Sequence, residues 1–252
     1  MNFRTLLTAS AALSIAAAAP LPALALDDMQ KKEMGDFIRE YILENPEILL
    51  EAQEALQHKQ QQEQLAKAGQ SIADNQKAIF ASDHDIALGN PDGDVTVVEF
   101  FDYNCGYCKR ALSDMEEILE KDKNVRFVLK ELPILGPDSL AAHKVSAAVR
   151  DLAPEKYGAF HRALLGSEGR ASEESSIAVA VGLGLDEAEI RKTMQEKPHD
   201  DAVREAYSLA NDLGITGTPS YVIGRETVFG AVGAGELEEK IANIRACGEA
   251  SC

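Results

Sequence analysis

Two cysteines separated by two residues, Cys105 and Cys108, are the side chains whose type and spacing point most directly to chemistry. They follow an apolar run, Val95 to Phe101, and precede a helical pattern from Arg110 to Leu119, so the pair falls where a buried strand gives way to a helix. At a helix start the free backbone N–H groups and the helix dipole favour an anion, which stabilises a thiolate at Cys105. Cys105 is then the exposed, activated sulfur. Cys108, one turn further in, is placed to attack a mixed disulfide at Cys105 and release the partner. The same spacing also fits half of a zinc site or an inert structural pair. Zinc normally needs a second ligand pair at comparable spacing. Cys247 and Cys252, the other two cysteines, have no His-x-x-x-His beside them, and His58, His84, His143, His161 and His199 are scattered, so no metal is expected.

The rest of the chain must position that pair. Arg4, the apolar stretch Leu6 to Ala19, Pro20, Pro22 and Ala23-Leu24-Ala25 read as a secretory signal, residues 1–25, cleaved after about Ala25; an uncleaved anchor is the alternative. Export agrees with an even cysteine count, because disulfides persist outside the cytosol. The formal charge of −17 argues against nucleic acid as a partner. From Asp27 to Glu44, Met34, Phe37, Ile38, Tyr41 and Ile42 recur on one helical face, and Asn45-Pro46 restarts the chain as a second helix with Leu49, Ala52, Ala55 and Leu56 as its stripe. The stripe lapses from Gln57 to Gln64 and resumes weakly at Ala66, Ile72, Ala73, Ile79 and Phe80. Residues 26–82 thus form a helical region without a core of its own. It either folds back on the following domain or meets further copies through residues 27–80, and the second reading, a homo-oligomer, is favoured.

Residues 83–252 form the second domain. Strand patterns at His84 to Leu88, Val95 to Phe101 and Val125 to Glu131 are followed by a helical block over about 139–213. The turn Gly214-Ile215-Thr216-Gly217-Thr218-Pro219 leads into Ser220 to Ile223, then Thr227 to Phe229, and a last helix from Glu236 to Ala246. The fold class is α/β: a thioredoxin-like order with an inserted helical subdomain.

With Phe-Phe-Asp-Tyr-Asn-Cys-Gly-Tyr-Cys and Gly-Ile-Thr-Gly-Thr-Pro-Ser-Tyr-Val-Ile-Gly at its two ends, the segment 83–246 resembles the DsbA-like family of bacterial exported disulfide oxidoreductases. Phe-Ile-Arg-Glu-Tyr-Ile-Leu-Glu-Asn-Pro-Glu-Ile resembles the extension of its ScsC-like and Com1-like branch, which trimerises some ScsC-like members. The resemblance implies a periplasmic enzyme with Cys105 attacking and Cys108 resolving. It needs no cofactor beyond a redox-active Cys105–Cys108 disulfide. Thr218-Pro219 is implied as a cis-proline loop that, with Tyr107, faces the substrate; an ordinary trans proline entering an edge strand is the alternative. Glu99, six residues before Cys105 and on the face of Val97 and Phe101, takes the place of the buried acid, a proton relay for Cys108. Lys130 matches the lysine that pairs with this acid, against a solvated strand-end lysine.

Two departures shape the functional expectation. Gly106-Tyr107 supplies no His beside the thiolate, and Gly-Tyr with Thr-cis-Pro resembles the combination in disulfide isomerases. Cys247 and Cys252 lie outside the family motif; a structural disulfide clasping the tail is expected, with a second redox pair left open. Partners are then unfolded or misdisulfided exported proteins and a membrane redox partner that resets the site. Isomerase is favoured slightly over oxidase. A copper-tolerance or metal-binding partner protein and a non-catalytic envelope protein are the alternatives.

Overall fold

The computed structural model describes residues 27–252, so the expected signal segment lies outside the described residues. Two compact units divide the chain between Leu56 and Gln57.

In the first unit, helix α1 (Asp28–Glu44) starts on a reciprocal cap. Gln30 N–H donates to the Asp27 carboxylate at 2.8 Å, and the Gln30 side chain accepts from Asp27 N–H at 3.1 Å. Asn45 ends the helix, its Nδ2 donating to Tyr41 O at 2.8 Å. Helix α2 (Glu47–Asp74) begins just after Pro46 and runs unbroken through Gln57–Gln64. Gln, Lys, Glu and Leu are good helix formers, so loss of the apolar stripe does not interrupt the backbone. Phe37, Ile38, Tyr41, Leu49, Leu50 and Leu56 are exposed, and Phe37 stacks on Tyr41.

The second unit is built on a five-stranded sheet in the order β1-β3-β2-β4-β5, from β1 (Ile86–Gly89), β2 (Val95–Phe101), β3 (Val125–Glu131), β4 (Ser220–Ile223) and β5 (Glu226–Phe229). Strands β2 and β3 are parallel, joined by helix α4 (Gly106–Lys121); the other pairs are antiparallel. Side chains alternate between the two faces of β2. Val95, Val97 and Phe101 enter the larger core, with Met115 and Ile118 of α4 and Leu237 and Ile241 of α10 (Ala234–Cys247). Helices α5 (Pro137–Leu152), α6 (Tyr157–Leu165), α7 (Glu173–Gly182) and α8 (Glu187–Glu196) extend that core.

Val98 and Phe100 point to the other face, which Ile72, Ile79 from α3 (Gln76–Phe80), and Ala206, Leu209 and Ala210 from α9 (Asp200–Asp212) cover. Here the structure departs from the expected boundary at 82/83. A sheet buried on both faces needs a second layer, and Ile72 and Ile79 supply part of it with no exposed surface. Truncation at either should therefore leave a cavity under the sheet. Ile72→Ala or Ile79→Ala is expected to lower the stability of this unit by about 2–5 kcal/mol in urea unfolding, whereas Phe37→Ala in the first unit leaves that transition in place.

Candidate active site

Cys105 is the N-cap of α4, and the loop that delivers it is held by a dense set of hydrogen bonds. Its backbone N–H donates to Asp102 O at 3.0 Å. The buried Asp102 carboxylate accepts from Asn104 N–H (2.8 Å), Leu135 N–H (2.9 Å) and Ser139 Oγ (2.8 Å). Asn104 accepts from Ala171 N–H at 2.8 Å and donates back to Ala171 O at 2.9 Å. The loop is thereby tied to the start of α5 and to the segment before α7. Tyr103 OH lies 3.0 Å from Ser146 Oγ, and Ser146, Tyr157 and His143 all bond the half-buried Glu131 carboxylate. Asp102, Asn104 and Glu131 are not among the residues that motif and spacing point to. An Asp that hydrogen-bonds the backbone two residues on is a turn signal, and Asp102 to Asn104 carries it.

The two sulfurs lie in opposite environments. Cys105 Sγ accepts from Cys108 N–H at 3.4 Å and lies 3.0 Å from the carbonyl oxygen of Thr218. The thiol of Cys108, hydrogen-bonded to it, acts most strongly and lowers the Cys105 pKa against the effect of burial. The Thr218 side chain and the N–H groups of Cys108 and Tyr107 add to this, and the result is about 5. Cys108 is pushed far above the ordinary thiol range by burial, by its bond to Cys105 and by the charge of Glu99. Cys105 is less open than the helix-end position suggested, at 6% exposure against 0% for Cys108, because the Thr218 loop overlies it. The Thr218–Pro219 peptide bond is cis. Tyr107 is exposed, with the Arg110 guanidinium 4.3 Å from its ring centre.

Glu99 faces the larger core, paired in the sheet with Leu129 and Tyr221. Burial, then the charges of Asp114 and Cys105, push its carboxyl up to about 8. Lys130 is not its partner, and here the structure corrects the expected pairing. The β2–β3 register sets Lys130 beside Phe100, so its side chain leaves the sheet on the opposite face. There it is buried and bonded to Asp85 and, at 3.5 Å, to Glu205, which also accepts from Ser82 Oγ at 2.6 Å. It is neither solvated nor near the thiols.

The histidines are less scattered than the sequence suggests: one ligand atom each from His84, His199 and Asp201 lies within 4.8 Å of the others. Yet His199 Nδ1 lies 3.2 Å from Arg150 Nη2 and Nε2 3.1 Å from Asp151 Oδ2. A cation there would have to displace a guanidinium, so the group is a poor metal centre. Cys247 and Cys252 are joined in a disulfide. No described helix is long and apolar enough to cross a membrane.

A stabilised thiolate and a buried thiol in adjacent helical turns, facing a cis-proline loop on a thioredoxin-like sheet, are equipped for thiol–disulfide exchange. The chain belongs to the DSBA-like thioredoxin domain family, which it matches over residues 96–242, and residues 30–63 match the copper resistance protein ScsC N-terminal domain. It is similar to a thioredoxin-like oxidoreductase from Silicibacter pomeroyi (39% identity, 69% of this chain and 99% of that one, TM-score 0.65). It is also similar to the thiol-disulfide exchange protein alpha-DsbA2 from Wolbachia pipientis (30%, 70% and 95%, TM-score 0.66). A linker-deletion mutant of ScsC from Proteus mirabilis is similar over more of the chain (27%, 89% and 99%, TM-score 0.63). Among curated proteins, the Na(+)/H(+) antiporter NhaA 1 of Salinispora arenicola is 28% identical over 144 residues; the chain spans 22% of its length.

These environments predict distinct pH responses. Within the active pair, alkylation of the reduced protein is expected at Cys105 and not at Cys108, its rate rising through about pH 5 as the thiolate forms; thiol mass spectrometry reads this directly. Glu99 keeps its proton to about pH 8 when folded but only to about 4.5 when unfolded. The folded state binds more protons between those values, so this group's contribution to stability falls as pH rises through them, by about 1.4 kcal/mol per unit. Glu99→Gln lacks that slope, and its urea midpoint should gain on wild type from pH 5 to 8.

Proposed function

We propose that this chain is a periplasmic thiol–disulfide oxidoreductase acting on the thiols and disulfides of exported proteins, with isomerisation favoured over oxidation. The observation that carries the reading is the unlike setting of the two sulfurs, one a thiolate at a helix cap and the other a buried thiol. The Cys105 thiolate attacks a client disulfide, forming a mixed disulfide and expelling a client thiolate. That thiolate either attacks elsewhere in the client, which reshuffles it, or is carried off after resolution. In resolution the ionised form of Glu99, a minor fraction at neutral pH, takes the proton of Cys108, which attacks Cys105 Sγ and frees the client sulfur. A carboxyl that titrates at about 8 exchanges protons readily at neutral pH. Thr218 and Pro219 border the sulfur and Tyr107 is exposed beside it, a setting that suits an extended client segment pairing with the Thr218 backbone. No cofactor enters this scheme, since the electrons reside in the Cys105–Cys108 pair.

Residues 1–25 serve as the export signal in this reading, and likeness to the ScsC N-terminal domain agrees with a periplasmic location. The exposed stripe of Phe37, Ile38, Tyr41 and Leu49 joins copies of the chain. The joining surface is narrower than residues 27–80, because Ile72 and Ile79 are already buried in the second unit. Several Cys105 sites around one client raise their effective concentration, which favours reshuffling, and crowding of the sites hinders the membrane partner that would oxidise them.

Two experiments test this. Cys105→Ser should abolish exchange while Cys108→Ser accumulates mixed disulfides with clients; equal residual activity in both variants defeats the assignment. Phe37→Glu with Ile38→Glu should turn an oligomer into a monomer by light scattering and slow the refolding of a scrambled client by about ten-fold, with oxidation of reduced clients retained. A wild-type protein that is already monomeric and oxidises clients well would defeat the isomerase reading.

A further inference from the structure

The chain carries two cysteine pairs at opposite poles of their helices. Cys105 caps the N-terminus of α4, with Cys108 N–H directed at its sulfur. Cys247 is the last residue of α10. Its Sγ lies 3.5 Å from Glu249 O, and Cys252 Sγ lies 3.7 Å from Asn243 O, so backbone carbonyls face both sulfurs of the tail. Cys105 Sγ also lies 3.0 Å from a carbonyl oxygen, that of Thr218, but it accepts a backbone N–H as well, so the contrast lies in the helix ends: a C-terminus disfavours an anion as an N-terminus favours it. Reduction therefore places a stable thiolate at Cys105 and unstable ones at Cys247 and Cys252. Electrons shared between the two pairs run toward Cys105–Cys108 and leave the tail as the disulfide.

Closure of the tail is also coupled to packing. The five residues from Gly248 to Cys252 fold back so that Ala250 enters the larger core with 2% exposure. Asn243 Nδ2 donates to Ala250 O at 3.1 Å, and Ser251 Oγ donates to Glu226 at 2.7 Å. No helix or strand holds Gly248 to Cys252, so the bridge and these few contacts are what fix the segment. Within one molecule the pairs cannot meet. Arg245, two residues before Cys247, bonds Asp122 at 2.6 Å, and Asp122 caps the C-terminal end of α4. The tail thus lies a helix length of 16 residues from Cys105, about 24 Å at 1.5 Å per residue.

We propose that the reduced Cys247/Cys252 tail of one copy is a substrate of the Cys105–Cys108 disulfide of another, so that this protein completes its own tail disulfide in trans. The inference rests on the exchange reading of Cys105 and Cys108. The Cys252 thiolate attacks Cys105 Sγ, the Cys105–Cys108 bond breaks, and Cys108 leaves and takes up a proton. Cys247, having lost its proton to solvent, attacks Cys252 Sγ and expels Cys105 as a thiolate. Two electrons pass from the tail to the active pair, which ends reduced. A small-molecule disulfide then oxidises it again.

The test pairs wild-type protein, oxidised at both disulfides, with a reduced Cys105→Ser/Cys108→Ala variant whose remaining cysteines are those of the tail. Mass spectrometry after alkylation separates the two chains. Closure of the variant's tail is expected at least ten-fold faster than with an equal concentration of oxidised glutathione, with loss of one active-site disulfide per tail closed. Cys108→Ser, oxidised to a mixed disulfide with glutathione and offered a tail variant that also carries Cys247→Ser, should yield a lasting Cys105–Cys252 cross-link between chains. Wild type that oxidises a model dithiol peptide but closes the tail no faster than glutathione overturns the inference alone. Wild type that oxidises neither overturns the exchange reading together with it. Circular dichroism of the variant before mixing confirms that a folded chain was offered.

Discussion

One sulfur has to sit at the first turn of α4 opposite the chain just before β4, and most of the second unit is arranged to keep it there. Strand β4 runs antiparallel to β2 with Ser220 beside Phe100. The residues entering β4 therefore pass alongside those leaving β2, which brings Thr218 to Cys105 across 113 positions of sequence. Had the pairing been parallel, the proline loop would lie at the far end of the sheet. The helical block between β3 and β4 then serves two needs. Helices α5 to α8 wall the larger core and hold the Asp102 loop, while α9 returns to close the opposite face.

The electrostatic division follows from depth. Cys105 lies at the helix end, where N–H groups reach it; Cys108 lies one turn down, where a backbone hydrogen bond at Asp102 offsets the loss of water only in small part. Glu99 sits deeper in the same core, acted on by burial and by further negative groups. Lys130, on the other face, is neutralised by Asp85, whose own pKa burial raises to about 6 even against the attraction of the lysine. It joins β3 to the chain entering β1 and to α9, and so belongs to the architecture of the sheet's second layer.

Much of the site was legible in the sequence for local reasons. A seven-residue apolar run, a polar turn and Cys-x-x-Cys before an amphipathic helix each carry their own period, and together they place both sulfurs. The face of Glu99 followed from simple alternation along β2. Lys130 failed for the complementary reason: its face depends on the register between two strands, which no single segment encodes, and a shift of one residue reverses it. The layer formed by Ile72 and Ile79 was hidden as well, because sparse apolar positions in a Gln-rich helix look alike whether they meet a sheet or water. Ala171 and Leu135 bind the cysteine loop through their backbones, so their identities give no signal.

The hold on that loop bears on which proteins it can engage. Asp102 fixes three donors and Asn104 grips Ala171 at both its N–H and its C=O, so the residues leading to Cys105 have little freedom to bend around an incoming surface. In the proposed exchange, adaptation at the encounter would fall to the other molecule, which would have to bring a chain loose enough to thread between Tyr107 and the Thr218 loop. A segment already packed in a finished fold would have to be torn out first, while a slack one docks with little loss. If the proposed exchange holds, rigidity here would act as a sieve that sorts proteins by how far their folding has progressed, with no need to read their sequence.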